Sequence, residues 1–122
     1  KNNRCDGPVK RYHESGRLKS EYTCVNGITE GVFKEYYESG NLKSEQMYAQ
    51  EKPSGPCREY YESGNLMSEG AYRDGRLHGV VTTYYENGVV KLIERYEGGR
   101  KTQVETFDPQ GHREAGPTYP SN

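Results

Sequence analysis

Residues 36–42 read YYESGNL, and the same seven letters return at 60–66, with YYENGVV at 84–90 and YHESGRL at 12–18. A phrase written four times in 122 residues is poor material for an active site, because catalysis needs several different groups converging on one point. A repeated structural unit explains it better. Taking the glycine of the phrase as a marker gives Gly16, Gly40, Gly64 and Gly88 at steps of 24 residues, then Gly111 after 23. A second glycine, at Gly7, Gly31, Gly55 and Gly79, keeps the same step, as do Tyr48, Tyr72 and Tyr96, with Cys24 in the first slot. Spacing held at three separate places describes a stacked array whose units bury their apolar sides on one another.

Within a unit, GVFKEYYESGNLKSEQMY (31–48) reads as strand, tight turn, strand, with glycine supplying the positive φ of a short hairpin. If Ser39 and Gly40 are the central turn residues, Tyr37 faces Leu42, and Phe33, Leu42 and Tyr48 share one sheet face. A bulged three-residue turn instead moves Tyr36 to the Leu42 side. On either register one tyrosine column is expected in the core and the other on the surface. The fold class is therefore all-β: a stacked array of about five antiparallel hairpins. Units are expected near 7–30, 31–54, 55–78, 79–101 and 102–116 within one domain, 1–116, followed by a flexible tail at 117–122. The last unit is degraded, with Phe107, Asp108 and Gly111 in the slots of Tyr84, Tyr85 and Gly88, and Arg113 in place of leucine. A polar terminal unit caps the open end of an array.

Composition supports this architecture. Leu, Ile, Val and Phe supply only 17 of 122 residues, few enough to suggest disorder, but the net charge is −1 and there are 12 tyrosines with large apolar rings. Fifteen glycines and six prolines place a turn signal every few residues, which favours short strands over helices. The near-zero charge offers no field for nucleic acid or an anionic membrane, and no apolar run approaches a membrane span. Beginning at Lys1 rather than Met, the chain is expected to be a mature product of the periplasm or cell envelope, with a cytoplasmic location as the alternative. Of three cysteines, Cys57 takes the apolar slot of Val9, Phe33 and Val81. Cys5 and Cys24 flank the first unit, and a disulfide between them would imply an oxidising compartment.

The repeat G-x-x-x-E-Y-Y-E-S-G-N-L-x-S-E with its following tyrosine resembles the MORN-repeat variant found in bacteria, including the branch that serves as the antitoxin component of toxin and antitoxin pairs. The likeness runs from residue 7 to about 113 and departs at His13, which replaces the second tyrosine, and in the last unit. It implies successive antiparallel hairpins in one elongated, curved and twisted sheet, about 45 to 50 Å long for five units. It also implies binding rather than chemistry, either as an inhibitor of a toxic enzyme or as a scaffold or membrane-surface module.

Chemical readings of the columns are weak. Glu14, Glu38, Glu62 and Glu86 are turn carboxylates that shape the turn locally. Ser15, Ser39 and Ser63 lack the first glycine of a G-x-S-x-G elbow. His13, His78 and His112 have no metal-ligand spacing, and Gly98–Gly99 is a turn between units. No enzyme, cofactor or metal site is expected. The partner is expected to be a protein, bound through Tyr36, Tyr60 and Tyr84 or through Tyr37, Tyr61 and Tyr85. The hairpin tips at Glu38, Glu62 and Glu86 are the alternative site.

Overall fold

The computed structural model describes residues 5–114. Ten strands form one antiparallel sheet: β1 (Gly7–Tyr12), β2 (Leu18–Val25), β3 (Ile28–Tyr36), β4 (Leu42–Ala49), β5 (Lys52–Tyr60), β6 (Leu66–Arg73), β7 (Arg76–Leu77), β8 (Gly79–Tyr84), β9 (Val90–Glu97) and β10 (Arg100–Thr106). Each strand lies beside its neighbour in sequence, except that the short β7 pairs with β6 and stands off the main path. Apart from β7 and β8, which follow one another along β6, the strands are connected by hairpins.

Two kinds of turn alternate along the chain. The turn inside a unit is closed by Tyr37 N donating to Asn41 O at 2.9 Å and Gly40 N donating to Tyr37 O at 2.9 Å. That is a three-residue loop, Glu38-Ser39-Gly40, with glycine in the left-handed position at φ 100°. The same two bonds recur around Gly16, Gly64, Gly88 and Gly111. The turn between units has two central residues, both at positive φ, as a type I′ hairpin turn requires: Asn26-Gly27, Gln50-Glu51, Asp74-Gly75 and Gly98-Gly99. Three pairs have the dipeptides this turn favours; Gln50-Glu51 holds it without a glycine.

The three-residue turn fixes the faces. Tyr36 pairs with Leu42 while Glu35 pairs with Ser44, so Lys43 is the extra, bulged residue and the bulged register is the one adopted. Phe33, three residues back on a regular strand, therefore lies on the face opposite to Leu42. The grouping of Phe33, Leu42 and Tyr48 expected from a two-residue turn is corrected to Phe33 with Tyr48, whose rings are 6.0 Å apart. A second irregularity opens each unit: between β4 and β5 the pairing slips from Gln46–Cys57 to Tyr48–Pro53, so Met47 stands against Ser54, Gly55 and Pro56. Such bulges strengthen the local right-handed twist. Between β9 and β10 the slip is one residue, Thr102, rather than two, and no glycine is present there. The 23-residue final step arises at that point.

The core is spread thin. Among the described residues only Cys24, at 5% exposure, and Ser20, at 4%, are buried, and no side chain is fully enclosed. Both tyrosine columns are half-buried, which corrects the expectation of one core column and one surface column. A single sheet with no covering layer has no inside for a whole column. Its stability comes instead from cross-strand neighbours and hydrogen bonds between units. At the N-terminal end a Cys5–Cys24 disulfide closes a 19-residue separation, and Gly27 N donates to Cys5 O at 2.7 Å. The fifth unit contributes β10, its turn and a single bridge, Phe107–Arg113. The tail expected at 117–122 and the end of that unit lie outside the described residues.

Candidate binding surface

The hydroxyls of the two tyrosine columns do different work. Tyr36, Tyr60 and Tyr84 donate backward to Glu21, Glu45 and Glu69 at 2.5, 3.3 and 3.0 Å, each 15 residues earlier. Tyr37, Tyr61 and Tyr85 donate forward to the backbone carbonyls of Tyr60, Tyr84 and Phe107, each at 2.6 Å. His13 fills the same slot in the first unit and meets the Tyr36 carbonyl through Nε2 at 3.0 Å. A carbonyl only accepts, so Nε2 carries the proton there. The substitution in the first unit preserves the contact.

The tips are tied in parallel. Asn41 and Asn65 donate from Nδ2 to the carbonyls of Glu62 and Glu86 at 2.6 and 2.9 Å. Arg17 reaches the Ser39 carbonyl at 3.0 Å from the slot of Asn41, and Asn87 reaches Pro109 at 3.0 Å from the slot of Ser39. Glu38, Glu62 and Glu86 are exposed and their carbonyls accept in this ladder, while the Glu86 carboxylate also accepts from Ser63 at 3.4 Å and that of Glu38 lies 3.8 Å from His13 Nδ1. Each hairpin tip is thus bolted to the next by one tyrosine or histidine and one amide or guanidinium.

Burial and the Glu21 hydrogen bond push the Tyr36 phenol up to about 12. Burial likewise raises Tyr60 and Tyr84, each also beside its carboxylate partner. Tyr37 is raised first by burial and then by the field of Glu62. These shifts belong to phenols that donate and stay neutral. Phenols held neutral in this way do no acid or base work near neutral pH. Among the described residues no cluster of three or more His, Cys, Asp or Glu is placed to hold a metal ion. Cys57 is a half-buried thiol whose pKa is raised chiefly by burial, which makes it a poor nucleophile.

The sheet therefore offers two faces. On the back face Tyr22 stacks on Phe33 at 4.7 Å, and Tyr48 and Tyr72 stand opposite Gly31 and Gly55, where no side chain competes for the space. On the front face the Tyr36 column lies beside the Leu42 column, followed along the strands by Lys34–Glu45 and Arg58–Glu69 pairs. Next on that face come Pro8, Val32, Pro56 and Val80, one per unit at steps of 24, and all four are exposed. Among the described residues the exposed large apolar side chains, Tyr12, Val25, Val32, Met47 and Val80, all fall on this face by strand alternation. The Pro8 column was missed in the sequence because proline and valine alternate in it. The signal was there in the 24-residue step.

An open array of antiparallel hairpins, repeated every 24 residues and lacking a catalytic constellation among its described residues, is a repeat-type binding module. The model of the MORN repeat variant matches residues 6–26, 29–50, 53–74 and 77–97, and the chain belongs to that family. The matched segments end before β10, the unit whose spacing and bulge differ. No curated protein matches the chain significantly. MORN repeats point to a binding or scaffold module.

Proposed function

We propose that the chain is an antitoxin or immunity-type binding protein of a bacterium, which holds a toxic effector enzyme against the front face of its sheet and blocks that enzyme's active site. The observation that carries this reading is the confinement of the exposed large apolar side chains to one face. A soluble sheet with two equivalent faces would scatter them, whereas a face built to be covered collects them. The disulfide between Cys5 and Cys24 supports a periplasmic or envelope location, where such bonds persist.

Both tyrosine columns contribute through position more than through free hydroxyls, since every phenol of the two central columns is engaged. Tyr36, Tyr60 and Tyr84 offer ring faces on the front face. Tyr37, Tyr61 and Tyr85, with the Glu38, Glu62 and Glu86 tips, form the rim near the turns. The test is co-expression with the product of an adjacent gene. That product alone should arrest growth, and the chain should restore growth and form a stoichiometric complex in which the enzyme is inactive. An adjacent product that is harmless, or whose toxicity the chain leaves unchanged, overturns the reading.

A further inference from the structure

The turns between units share a contact that the first two units complete and the fourth does not. Gly27 N donates to Cys5 O and Gly99 N to Leu77 O, so the same approach of turn to preceding unit recurs near both ends of the array. The residue after Cys5 or Leu77 then meets the first residue of the turn, 20 positions on. Asp6 Oδ1 accepts from Asn26 N at 3.3 Å, and Glu30 Oε2 accepts from Gln50 N at 2.9 Å. In the fourth unit the equivalent pair is His78 and Gly98. The carboxylate is gone, and Gly98 N meets no acceptor among the described residues.

Cations gather at that gap. Arg73 and Arg76 are directly paired across the turn between β6 and β7, in the slots held by Val25 and Ile28 at the first junction and by Ala49 and Lys52 at the second. Like charges placed opposite one another on paired strands are destabilising. Neither arginine forms an ion pair among the described residues; Arg73 instead donates to His78 Nε2 at 3.4 Å. The stem of Arg76 packs on the next turn, where a Cβ added to Gly99 would lie 3.4 Å from it. Arg73, Asp74, Arg76, His78 and Gly98 thereby line one open depression, in which Asp74 pairs with neither arginine. Over the two turns and the strand ends beside them, Arg73, Arg76, Arg95 and Arg100 stand against Asp74 and Glu97, four cations to two carboxylates. Lys52 and Glu51 of the preceding turn cancel each other. The corner is therefore cationic in sum.

We propose that this corner binds a carboxylate of the partner protein, an exposed Glu or Asp side chain held by Arg73 and Arg76 with Gly98 N–H as a further donor. A carboxylate is what the array itself places at this position in its first two units, and guanidinium groups match it with forked, charge-assisted hydrogen bonds. The facing arginines cost stability in the free chain, and the arriving anion relieves their repulsion. This deepens the reading of the chain as a binding module by naming the group its partner presents; it does not depend on toxin inhibition.

The probe is an end-capped peptide carrying a run of glutamates, set against the same peptide with glutamines, inorganic phosphate, and phosphatidylglycerol vesicles, all with the full chain. Binding is read from the Nε–Hε signals of Arg73 and Arg76 and the amide of Gly98. The glutamate peptide should shift these signals and the glutamine peptide should not. R73Q and R76Q together should weaken glutamate binding at least about tenfold. H78E, which supplies the internal carboxylate of the Asp6 and Glu30 slots, should weaken it as much, whereas K10Q with K34Q should leave it unchanged. R76Q alone should raise the Tm of the free chain, a readout independent of any ligand. Equal shifts from both peptides, glutamate binding that survives the paired arginine changes, a stronger response to phosphate or to vesicles, or a lowered Tm in R76Q overturns the proposal. Growth rescue by an R73Q/R76Q chain that no longer binds the glutamate peptide sinks it while leaving the antitoxin reading in place. A harmless adjacent gene product, with the glutamate results as expected, removes the antitoxin reading alone.

Discussion

The hydroxyl of Tyr37 lies 2.6 Å from the backbone carbonyl of Tyr60, 23 residues on, and fastens one hairpin tip to the next. Replacing Tyr37, Tyr61 or Tyr85 with Phe keeps the ring and deletes that bolt. Each change should lower stability by about 0.5–1.5 kcal/mol in chemical denaturation, and the Tyr61 and Tyr85 changes, at separate junctions, should add. The tip variant Glu62→Ala should move stability by less than about 0.5 kcal/mol, since that carboxylate is exposed and outside the ladder.

The inter-unit turn at Gln50-Glu51 holds φ values of 54° and 68° without glycine. A side chain in the left-handed region costs about 1–2 kcal/mol, partly offset by the extra chain freedom that glycine surrenders on folding. Glu51→Gly should therefore stabilise the protein by roughly 0.5–1 kcal/mol. The reverse experiment, Gly75→Ala at φ 81°, should destabilise it by a similar amount. Thermal melts of the two variants against the parent decide the matter.

Reduction of Cys5–Cys24 releases a loop with a sequence separation of 19. Loop entropy for a closure of that size corresponds to about 3 kcal/mol. Reductant should lower the denaturation midpoint accordingly, and a Cys57→Ser variant should respond equally, because Cys57 is outside the bond. Hydrogen exchange under reducing conditions should show the loss of protection concentrated in β1 and β2.

Alkaline pH should loosen the sheet before it disrupts other contacts. The Tyr36 phenol rises from 10.0 to about 12, and Tyr37, Tyr60, Tyr72 and Tyr84 move in the same direction, each first because burial disfavours the phenolate. A raised folded-state pKa means that the contribution is complete below the unfolded value and lost as pH climbs through the folded one. Stability should hold up to about pH 10 and fall between about 10 and 12. Tyr36→Phe should flatten that fall. A pH profile with no loss in this window, or one unchanged in the variant, contradicts the assignment.

The period, the hairpins and the family resemblance were all legible in the spacing of Gly16, Gly40, Gly64 and Gly88. The assignment of faces was not, because Glu-Ser-Gly accommodates either a two-residue or a three-residue loop, and one residue of register exchanges the two sides of a strand. What settles it is the closing pair Tyr37–Asn41, together with the reach of Asn41 to the neighbouring tip, a contact with no local sequence signature. The division into core and surface columns failed for a related reason. Local pattern reports which residues alternate, but whether anything covers a face is a property of the assembled sheet.

Because the tips are bonded only to their immediate neighbours, opening of this protein is a one-dimensional process. A central hairpin can loosen only by breaking its junctions on both sides, whereas a terminal one breaks a single junction. The two ends are not alike: a covalent link secures the beginning of the array, while the irregular fifth unit is held to the turn before it by the reach of Tyr85 and Asn87. Thermal opening should therefore have a direction, starting at β10 and travelling toward the disulfide. The array has a polarity in time as well as in sequence.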